Sequence, residues 1–199
     1  MYIVCSDLEG VFVPEVWINV AEKTGIPELR RTTRDEPDYD KLMRFRMKIL
    51  DEHGLKLHDI QQVIAQIRPL PGALDFIAWI KERTQLIVVS DTFIQFADPM
   101  MQQLGRPTLF CHSLEMDDTN RIIDYKLRQK DPKRKTVEAL QSLRYQVIAM
   151  GDSYNDTSML TQADVGILFR PPQNVINDFP QFSVTNDYRE LQEILRQYL

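Results

Sequence analysis

Three short apolar runs in this sequence are each followed at once by polar side chains of the kinds that phosphoryl chemistry requires. The runs cover residues 3–5, 86–89 and 147–150, and such runs, bounded by turn-forming residues, predict buried strands. In an open parallel sheet, ligands bind where the carboxyl ends of the strands converge. We therefore expect one pocket to collect the side chains that follow the runs, namely Asp7, Glu9, Ser90, Asp91, Asp152, Asn155 and Asp156.

These residue types match the needs of phosphoryl transfer, which are an in-line nucleophile, positive charge for the phosphate oxygens and a proton for the leaving oxygen. Asp7 can be the nucleophile, Glu9 can give the proton, and Lys133 with Mg²⁺ can balance the phosphate charge. Asp152 and Asp156 offer the hard oxygen ligands that Mg²⁺ prefers. An EF-hand calcium site is discounted, because the loop with these two aspartates lacks the required glycine and the distant bidentate glutamate.

Ordinary structural roles compete with this interpretation. A carboxylate such as Asp7 at the end of a strand is common turn chemistry. Ser90 can either cap a helix or hold a phosphate oxygen at a strand-to-helix junction. Lys130 and Lys135 are alternatives to Lys133 as the phosphate-binding cation, although Lys133 lies at a predicted helix start.

Helices interrupt the chain between the first strand and the rest of the predicted sheet. Residues 14–70 predict three of them: one that opens at Pro14, one that starts at about Asp38, and one with the apolar residues of 57–67. This segment therefore predicts a helical cap inserted after the first strand.

Helices and strands alternate through the remainder of the chain, including strands at 108–115 and 121–127 and a weak strand near 182–184. This alternation predicts an α/β fold with a doubly wound, mainly parallel, Rossmann-like sheet and right-handed crossovers. Residues 1–13 and 71–199 would form this catalytic core.

Composition indicates a globular chain that folds without disulfide or metal staples. Its 199 residues are 43 % hydrophobic and 27 % charged, and no apolar stretch is long enough to cross a bilayer. The net charge of −5, from 24 basic and 29 acidic residues, argues against a nucleic-acid surface. Because the N-terminus shows no secretion signal, we expect a cytoplasmic protein. The three histidines, His53, His58 and His112, are assigned no catalytic role.

The order and spacing of the polar segments resemble the four motifs of the haloacid dehalogenase superfamily of phosphatases. The matching segments are residues 7–11, residues 90–92, Lys133 and residues 151–156. The early helical insertion is similar to that of the phosphoserine phosphatase family. Residues 50–57 and 128–134 are also similar to its bifunctional bacterial members, which can pass the phosphoryl group to homoserine.

The resemblance implies catalytic and metal-binding roles for four residues. Asp7 would attack phosphorus to form an aspartyl-phosphate, and Glu9 would act as general acid and then as general base. Asp152 would hold Mg²⁺ together with Asp7 and the Glu9 carbonyl, while Asp156 would support the metal site or the lysine. Most members carry aspartate at the position of Glu9, although the bifunctional members share the glutamate. Its pKa must rise from about 4.3 toward roughly 6 or 7, through burial or a neighbouring carboxylate, for it to act as an acid near neutrality.

The resemblance also implies how a substrate is bound. Ser90 and Lys133 would hold the phosphate, and Asp91 and Asn155 would line the pocket. Such a site would belong to a Mg²⁺-dependent phosphoserine phosphatase of serine and threonine biosynthesis that also transfers the phosphoryl group to homoserine.

Arg46 is an unexpected charge on the apolar stripe of the second helix, which it shares with Leu42 and Ile49. Its head either reaches water beyond a packed stem or faces an anion. Glu15, at the start of the first helix, has the helix dipole as its ordinary explanation. The resemblance assigns Glu15 to the substrate ammonium and Arg46 to the substrate carboxylate, so that the insertion closes over phosphoserine.

Two other functions fit parts of the pattern. One is a phosphatase of the same superfamily that acts on another small phosphate ester, such as a sugar or nucleotide phosphate. The other is a non-enzymatic receiver module that accepts a phosphoryl group, but such a module would lack the inserted cap and Glu9 at this spacing. The sequence gives no indication of the oligomeric state.

Overall fold

The computed structural model of the protein describes residues 1–33, 35–36 and 38–199. Its strands, in chain order, are β1 (Tyr2–Ser6), β2 (Leu86–Phe93), β3 (Thr108–Met116), β4 (Ile122–Lys126), β5 (Gln146–Gly151), β6 (Val165–Phe169) and β7 (Ser183–Thr185). They form one sheet with the spatial order β4-β3-β2-β1-β5-β6-β7. Neighbouring strands run parallel except β3 and β4, which form an antiparallel hairpin at one edge.

Helices connect the strands and fill the segment after β1. They are α1 (Val16–Thr24), α2 (Tyr39–Glu52), α3 (Leu57–Ile64), α4 (Ala73–Lys81), α5 (Ile94–Gln103), α6 (Pro132–Ser142), α7 (Thr157–Gln162), α8 (Gln173–Asp178) and α9 (Tyr188–Leu195). Short 3₁₀ turns cover Pro27–Arg30 and Tyr154–Asp156. Helices α1 to α3 lie in the predicted insertion, and α3 packs against both α1 and α5. None of the described helices is long and apolar enough to span a membrane.

The sheet buries both of its faces, which confirms the predicted doubly wound α/β class. Alternate residues of a strand point to opposite faces. In β1, Val4 joins a large apolar cluster with residues of α1, α3, α4, α5 and α9. Its neighbours Ile3 and Cys5 join a second cluster with residues of α6, α7 and α8. The central strand is therefore apolar at successive positions because helices cover both sides of the sheet.

Strand β2 differs from the prediction in a way that matters for the site. The sequence places Ser90 at a strand-to-helix junction, but β2 continues to Phe93 and α5 begins only at Ile94. The backbone stays extended because Phe93 pairs with His112 of β3, and Thr92 and Phe93 are both buried, 6 % and 1 % exposed. The helix-capping role of Ser90 and its placement at the strand-to-helix junction are therefore wrong, while phosphate binding by Ser90 stays a prediction. Helix α8 and the turn Pro27–Arg30 were also not predicted.

The strand order brings the chemistry-bearing segments together. Strand β1 lies between β2 and β5, and Ser6 at its end pairs with Met150 of β5. The Asp7 N–H donates to the Met150 carbonyl at 2.9 Å, so the two chains leave the sheet side by side. Asp7 and Asp152 thus emerge from adjacent carboxyl ends of parallel strands, as the sequence predicts.

Candidate active site

A buried ion-pair cluster lies at the carboxyl ends of β1 and β5. The Lys133 ammonium is 3.0 Å from Oδ2 of Asp7 and 2.7 Å from Oδ1 of Asp156. The Lys133 side chain is only 2 % exposed, although α6 begins just before it at Pro132. Burial opposes its charged form, but Asp156 and Asp7 hold the pKa of Lys133 well above its usual value. Lys133 therefore carries a permanent positive charge at the bottom of the site.

Neither of the alternative lysines occupies this position. Lys130 is exposed at the rim of the cavity. Lys135 is also exposed and pairs with Glu138 at 2.7 Å on the outer side of α6. The geometry therefore favours Lys133 as the cation of the site.

Two glycines allow the aspartates to approach each other. Gly10 has φ +77°, and a Cβ there would lie 2.5 Å from Cγ of Asp152. A Cβ on Gly151 would lie 2.3 Å from Cγ of Asp156. Because any larger residue would collide with a carboxylate, the loops after β1 and β5 need glycine at both positions.

The carboxylates of Asp7, Asp152 and Asp156 suit a divalent cation. One oxygen from each lies within 4.8 Å of the others, and Asp156 is fully buried. Burial raises the pKa of Asp7 well above its usual value, and the charge of Asp156 raises it further, against the effect of Lys133. A hard cation among these oxygens would relieve that repulsion. The donor set therefore fits Mg²⁺.

Asp156 also organises the loop that carries Asp152. Its Oδ2 accepts the main-chain N–H groups of Asp152 and Ser153 at 3.0 and 3.1 Å, while Oδ1 accepts from Lys133. One fully buried carboxylate thus joins the loop after β5 to the lysine of α6. This geometry agrees with the supporting role that the sequence suggests for Asp156.

Glu9 connects the core to the first helix of the insertion. Its Oε2 accepts the N–H of Val16, the first residue of α1, at 2.7 Å. Burial, and then the charge of Glu15, raise the pKa of Glu9 to about 8, while the Val16 N–H and Arg46 work in the opposite direction. A protonated carboxyl at neutral pH is what a general acid requires.

Strand β2 contributes Ser90 and Asp91 through an irregularity in its pairing with β3. The register shifts between Val89 and Phe93, and such bulges redirect side chains near functional sites. Ser90 is 3 % exposed and its hydroxyl oxygen accepts the Thr92 N–H at 3.2 Å. Ser90 and Asp91 both line the same cavity as Lys133, and Oδ2 of Asp91 lies 3.5 Å from the Lys133 ammonium.

Asp91 and Asn155 are joined across the pocket. The Asn155 amide donates to Oδ2 of Asp91 at 2.9 Å, and Lys133 lies 3.5 Å from the same oxygen. Burial alone would raise the pKa of Asp91, yet Lys133, His112 and Asn155 hold it well below its usual range. Asp91 is therefore a fixed anion that helps to place its two partners.

Arg46 and Glu15 face the same cavity from the insertion. This cavity, of about 710 Å³, is also lined by Asp7, Glu9, Ser90, Asp91, Lys133, Asp152 and Asn155. Every residue that the sequence assigns to the site lines it, with the exception of the fully buried Asp156. The cavity therefore reaches from the lysine cluster to the cap helices.

Arg46 is a buried residue of the insertion, and only part of its guanidinium is satisfied. Its Nη2 donates to the Arg31 carbonyl at 2.8 Å, and the guanidinium carbon lies 4.5 Å from the centre of the Trp17 ring. Its Nε is buried and has no hydrogen-bond partner among the described residues. Burial lowers the pKa of Arg46 to about 10, which leaves it charged at neutral pH. A buried cation with a spare donor calls for an anionic partner.

Two residues of the site carry no motif signal and were missed in the sequence. The Tyr39 hydroxyl, at the start of α2, donates to the main-chain oxygen of Asp91 at 3.0 Å. His112 of β3 is buried beside the Asp91 carboxylate, 3.6 Å from it. Both belong to apolar or cap segments, and only the tertiary fold brings them to the pocket.

Comparison with known proteins places these features in a family. The model of haloacid dehalogenase-like hydrolases matches residues 10–164. Phosphoserine phosphatase ThrH of Pseudomonas aeruginosa is 61 % identical over 191 residues, which cover 96 % of this chain and 93 % of that protein. A phosphoserine phosphatase of Pseudomonas syringae pv. tomato is 60 % identical and covers 96 % of this chain and 81 % of its own length.

The fold is also that of solved phosphoserine phosphatase structures. A substrate-bound phosphoserine phosphatase complex superposes with a TM-score of 0.79 at 20 % identity, covering 96 % of this chain and 97 % of that one. A phosphoserine phosphatase in apo form gives a TM-score of 0.78, also at 20 % identity, with 99 % and 98 % covered. These structures support the architecture, and the sequence matches support the membership. The chain therefore belongs to the haloacid dehalogenase-like hydrolases and, within them, to the phosphoserine phosphatase family.

Proposed function

We propose that the protein is a Mg²⁺-dependent phosphoserine phosphatase that works through a phosphorylated Asp7 and that can also pass the phosphoryl group to homoserine. The observation that carries this proposal is the contact between Asp7 and Lys133 in a cavity that Arg46 and Glu15 of the insertion also line. Asp7 and Lys133 suit a phosphate, and Arg46 and Glu15 suit the charged groups of an amino acid. The names of the two Pseudomonas relatives agree with this substrate.

The first chemical step is the transfer of the phosphoryl group to the protein. A carboxylate oxygen of Asp7 attacks phosphorus, and the bond between phosphorus and the serine oxygen breaks. The leaving oxygen takes the proton of Glu9, so serine departs as a neutral alcohol. Burial favours the required protonated form of Glu9. Lys133 and Ser90 hold the phosphate oxygens while their charge is redistributed.

The second step returns Asp7 to its free form. Glu9, now ionised, takes a proton from a water molecule, whose oxygen attacks phosphorus. The bond between phosphorus and Asp7 breaks, and inorganic phosphate leaves. The glutamate is protonated again, which restores the starting state.

A metal ion fits this mechanism at the aspartate cluster. Asp7, Asp152 and the main-chain carbonyl of Glu9 would hold Mg²⁺, and Asp156 would keep the loop and Lys133 in place. When bound, Mg²⁺ supplies positive charge to the phosphate oxygens and offsets the repulsion among the carboxylates.

The amino-acid part of the substrate would meet the two charged residues of the cap. Arg46 would bind the carboxylate, since its Nε is a buried donor without a partner among the described residues. Glu15 would bind the ammonium group. It makes no capping hydrogen bond to α1 within the described chain, so its carboxylate is available to the cavity that it lines.

Homoserine can act as a second acceptor on chemical grounds. It carries the same ammonium and carboxylate groups as serine, and its hydroxyl lies one methylene farther along the side chain. The same pair of cap residues can therefore hold it after serine leaves, with its hydroxyl replacing water in the second step. The outcome depends on how well the closed cap excludes water.

The test is phosphoserine turnover by the purified protein with Mg²⁺ or with a chelator, in the presence and absence of homoserine. Free phosphate and O-phosphohomoserine are measured in the same reaction. We expect Mg²⁺-dependent release of phosphate and, with homoserine, formation of O-phosphohomoserine. Phosphate release without O-phosphohomoserine would remove the transferase activity and leave the phosphatase.

A panel of esters tests the substrate assignment. Faster turnover of a sugar or nucleotide phosphate than of phosphoserine would refute that assignment while leaving the family chemistry intact. A long-lived phosphoprotein without turnover of any ester would instead favour a receiver role. Asp7→Asn serves as the control for phosphatase contamination.

A further inference from the structure

His112 is a buried polar residue at the point where the β2–β3 pairing recovers from its irregularity. It lies opposite Phe93, the first residue of β2 to pair again after Val89. Its side chain is 2 % exposed and packs against the rings of Phe93 and Tyr39. A polar ring buried in such a position needs partners for both of its nitrogens.

One nitrogen of His112 fixes the tautomer. The main-chain N–H of Arg128 donates to Nδ1 at 3.1 Å, so Nδ1 is an acceptor and carries no proton. The proton of the neutral ring must therefore be on Nε2. This atom is 3.6 Å from Oδ1 of Asp91. The separation is longer than a hydrogen bond, and such contacts commonly shorten when a substrate binds.

The other oxygen of Asp91 serves the phosphate site. Oδ2 accepts from Asn155 at 2.9 Å and lies 3.5 Å from the ammonium of Lys133. The Tyr39 hydroxyl holds the main chain of Asp91 at 3.0 Å. One oxygen thus faces the histidine and the other faces two residues that we assign to substrate binding, so rotation of the carboxylate would disturb both.

We propose that His112 is a positioning residue that fixes the Asp91 carboxylate and, through it, the Lys133 ammonium and the Asn155 amide. This inference rests on the proposed phosphatase function for its kinetic consequences. The need for such a residue is electrostatic. Asp91 carries a negative charge next to the proposed site of an anionic phosphate. Its carboxylate would repel the phosphate unless it stays turned toward Lys133 and Asn155.

Two isosteric variants separate this role from a purely structural one. In His112→Gln, the side-chain amide reaches the position of Nε2 and keeps a donor for Asp91, but it loses the acceptor for Arg128. In His112→Asn, the amide reaches only the position of Nδ1, so it keeps the Arg128 contact and loses Asp91. We expect the Asn variant to lose about 10- to 100-fold in kcat/KM for phosphoserine, the range for residues that orient a site from behind. The kcat/KM of the Gln variant should stay within about threefold of the wild-type value, because this variant keeps the donor for Asp91.

The matched control is His58→Asn, since His58 lies on α3 with 58 % of its side chain exposed. Inhibition by inorganic phosphate is measured in parallel, and its inhibition constant should rise in the His112→Asn variant alone. The opposite pattern, with Asn active and Gln impaired, would overturn the proposal and leave only an anchor for the Arg128 loop. Equal activity of both variants and the wild type would also overturn it.

A spectroscopic measurement keeps the proposal falsifiable if the variants do not fold. The ¹⁵N shifts of the His112 ring in the wild-type protein should report a proton on Nε2, and Asp91→Asn should shift the Nε2 signal more than the Nδ1 signal. A proton on Nδ1, or no response to that substitution, would refute the inference. Failure of the wild-type protein to turn over phosphoserine would instead refute the proposed function. The ¹⁵N shifts of the ring and the affinity for inorganic phosphate would still test the role of His112.

Discussion

Replacement of Arg46 by alanine tests whether the cap recognises an amino acid. Arg46 is 6 % exposed, is charged at neutral pH, and keeps a buried Nε without a partner among the described residues. A hydrogen bond to a charged group contributes about 1.5–3 kcal/mol. If a substrate carboxylate is the missing partner, Arg46→Ala should lower kcat/KM for phosphoserine by roughly 10- to 150-fold.

Phosphoethanolamine makes this assay specific, because it has the phosphate and the ammonium group of phosphoserine but no carboxylate. The wild-type protein should prefer phosphoserine by about the same 10- to 150-fold factor. Arg46→Ala should remove most of this preference by slowing phosphoserine turnover and leaving phosphoethanolamine nearly unchanged. The steady-state kinetics of both esters are compared with thermal unfolding of each variant.

Lys48→Ala is the matched control, since Lys48 lies on the same helix with 72 % of its side chain exposed and pairs only with Glu52 among the described contacts. It should behave as the wild type with both esters. The reasoning is refuted if Arg46→Ala slows both esters equally, because Arg46 would then support the cap through Trp17 and the Arg31 carbonyl without binding the carboxylate.

Further predictions concern the core of the site. Asp7→Asn should abolish steady turnover and radiolabelling by ³²P-phosphoserine with an unchanged circular dichroism spectrum; near-normal turnover would remove Asp7 from the nucleophile role. Glu9→Gln should lower kcat/KM, which reports the phosphorylation step, far more for phosphoserine than for p-nitrophenyl phosphate, whose leaving group needs no proton; an equal loss of kcat/KM would contradict acid catalysis. Gly10→Ala should inactivate the protein, because its Cβ would meet Asp152 at 2.5 Å. Gly25→Ala has a similar φ of +71° in open space and should cost only about 1–2 kcal/mol of unfolding free energy, with kcat retained. Chelation should stop turnover, and Mg²⁺ should restore it.

The core of the site could be predicted because its residues follow directly from strand ends. Asp7 comes after β1 and Asp152 after β5, and two neighbouring parallel strands must deliver such residues to the same edge. The helix start at Lys133 was also visible, since Pro132 opens α6. In these places the local sequence pattern and the topology of the sheet agree, so the sequence alone is sufficient to predict where these residues lie.

The parts that could not be predicted depend on long-range packing. The shift in the β2–β3 register is decided by how two strands fit together, and no local pattern around Ser90 reveals it. His112 belongs to no motif, and its proposed positioning role depends on Asp91 lying on the neighbouring strand. Tyr39 reaches Asp91 only because the insertion folds back over the sheet. Residues of this kind act through partners that are distant in sequence.

The start of α1 explains why the insertion and the core can act as one site. The Val16 N–H, at the positive end of this helix, binds Glu9 of the core, while Glu15 immediately before it faces the cavity. Trp17, the next residue of α1, packs under the guanidinium of Arg46. The start of α1 therefore contacts the group that would protonate the leaving oxygen as well as the groups that would hold the amino acid. A movement of α1 would alter the hydrogen bond to Glu9 together with the contacts proposed for the substrate.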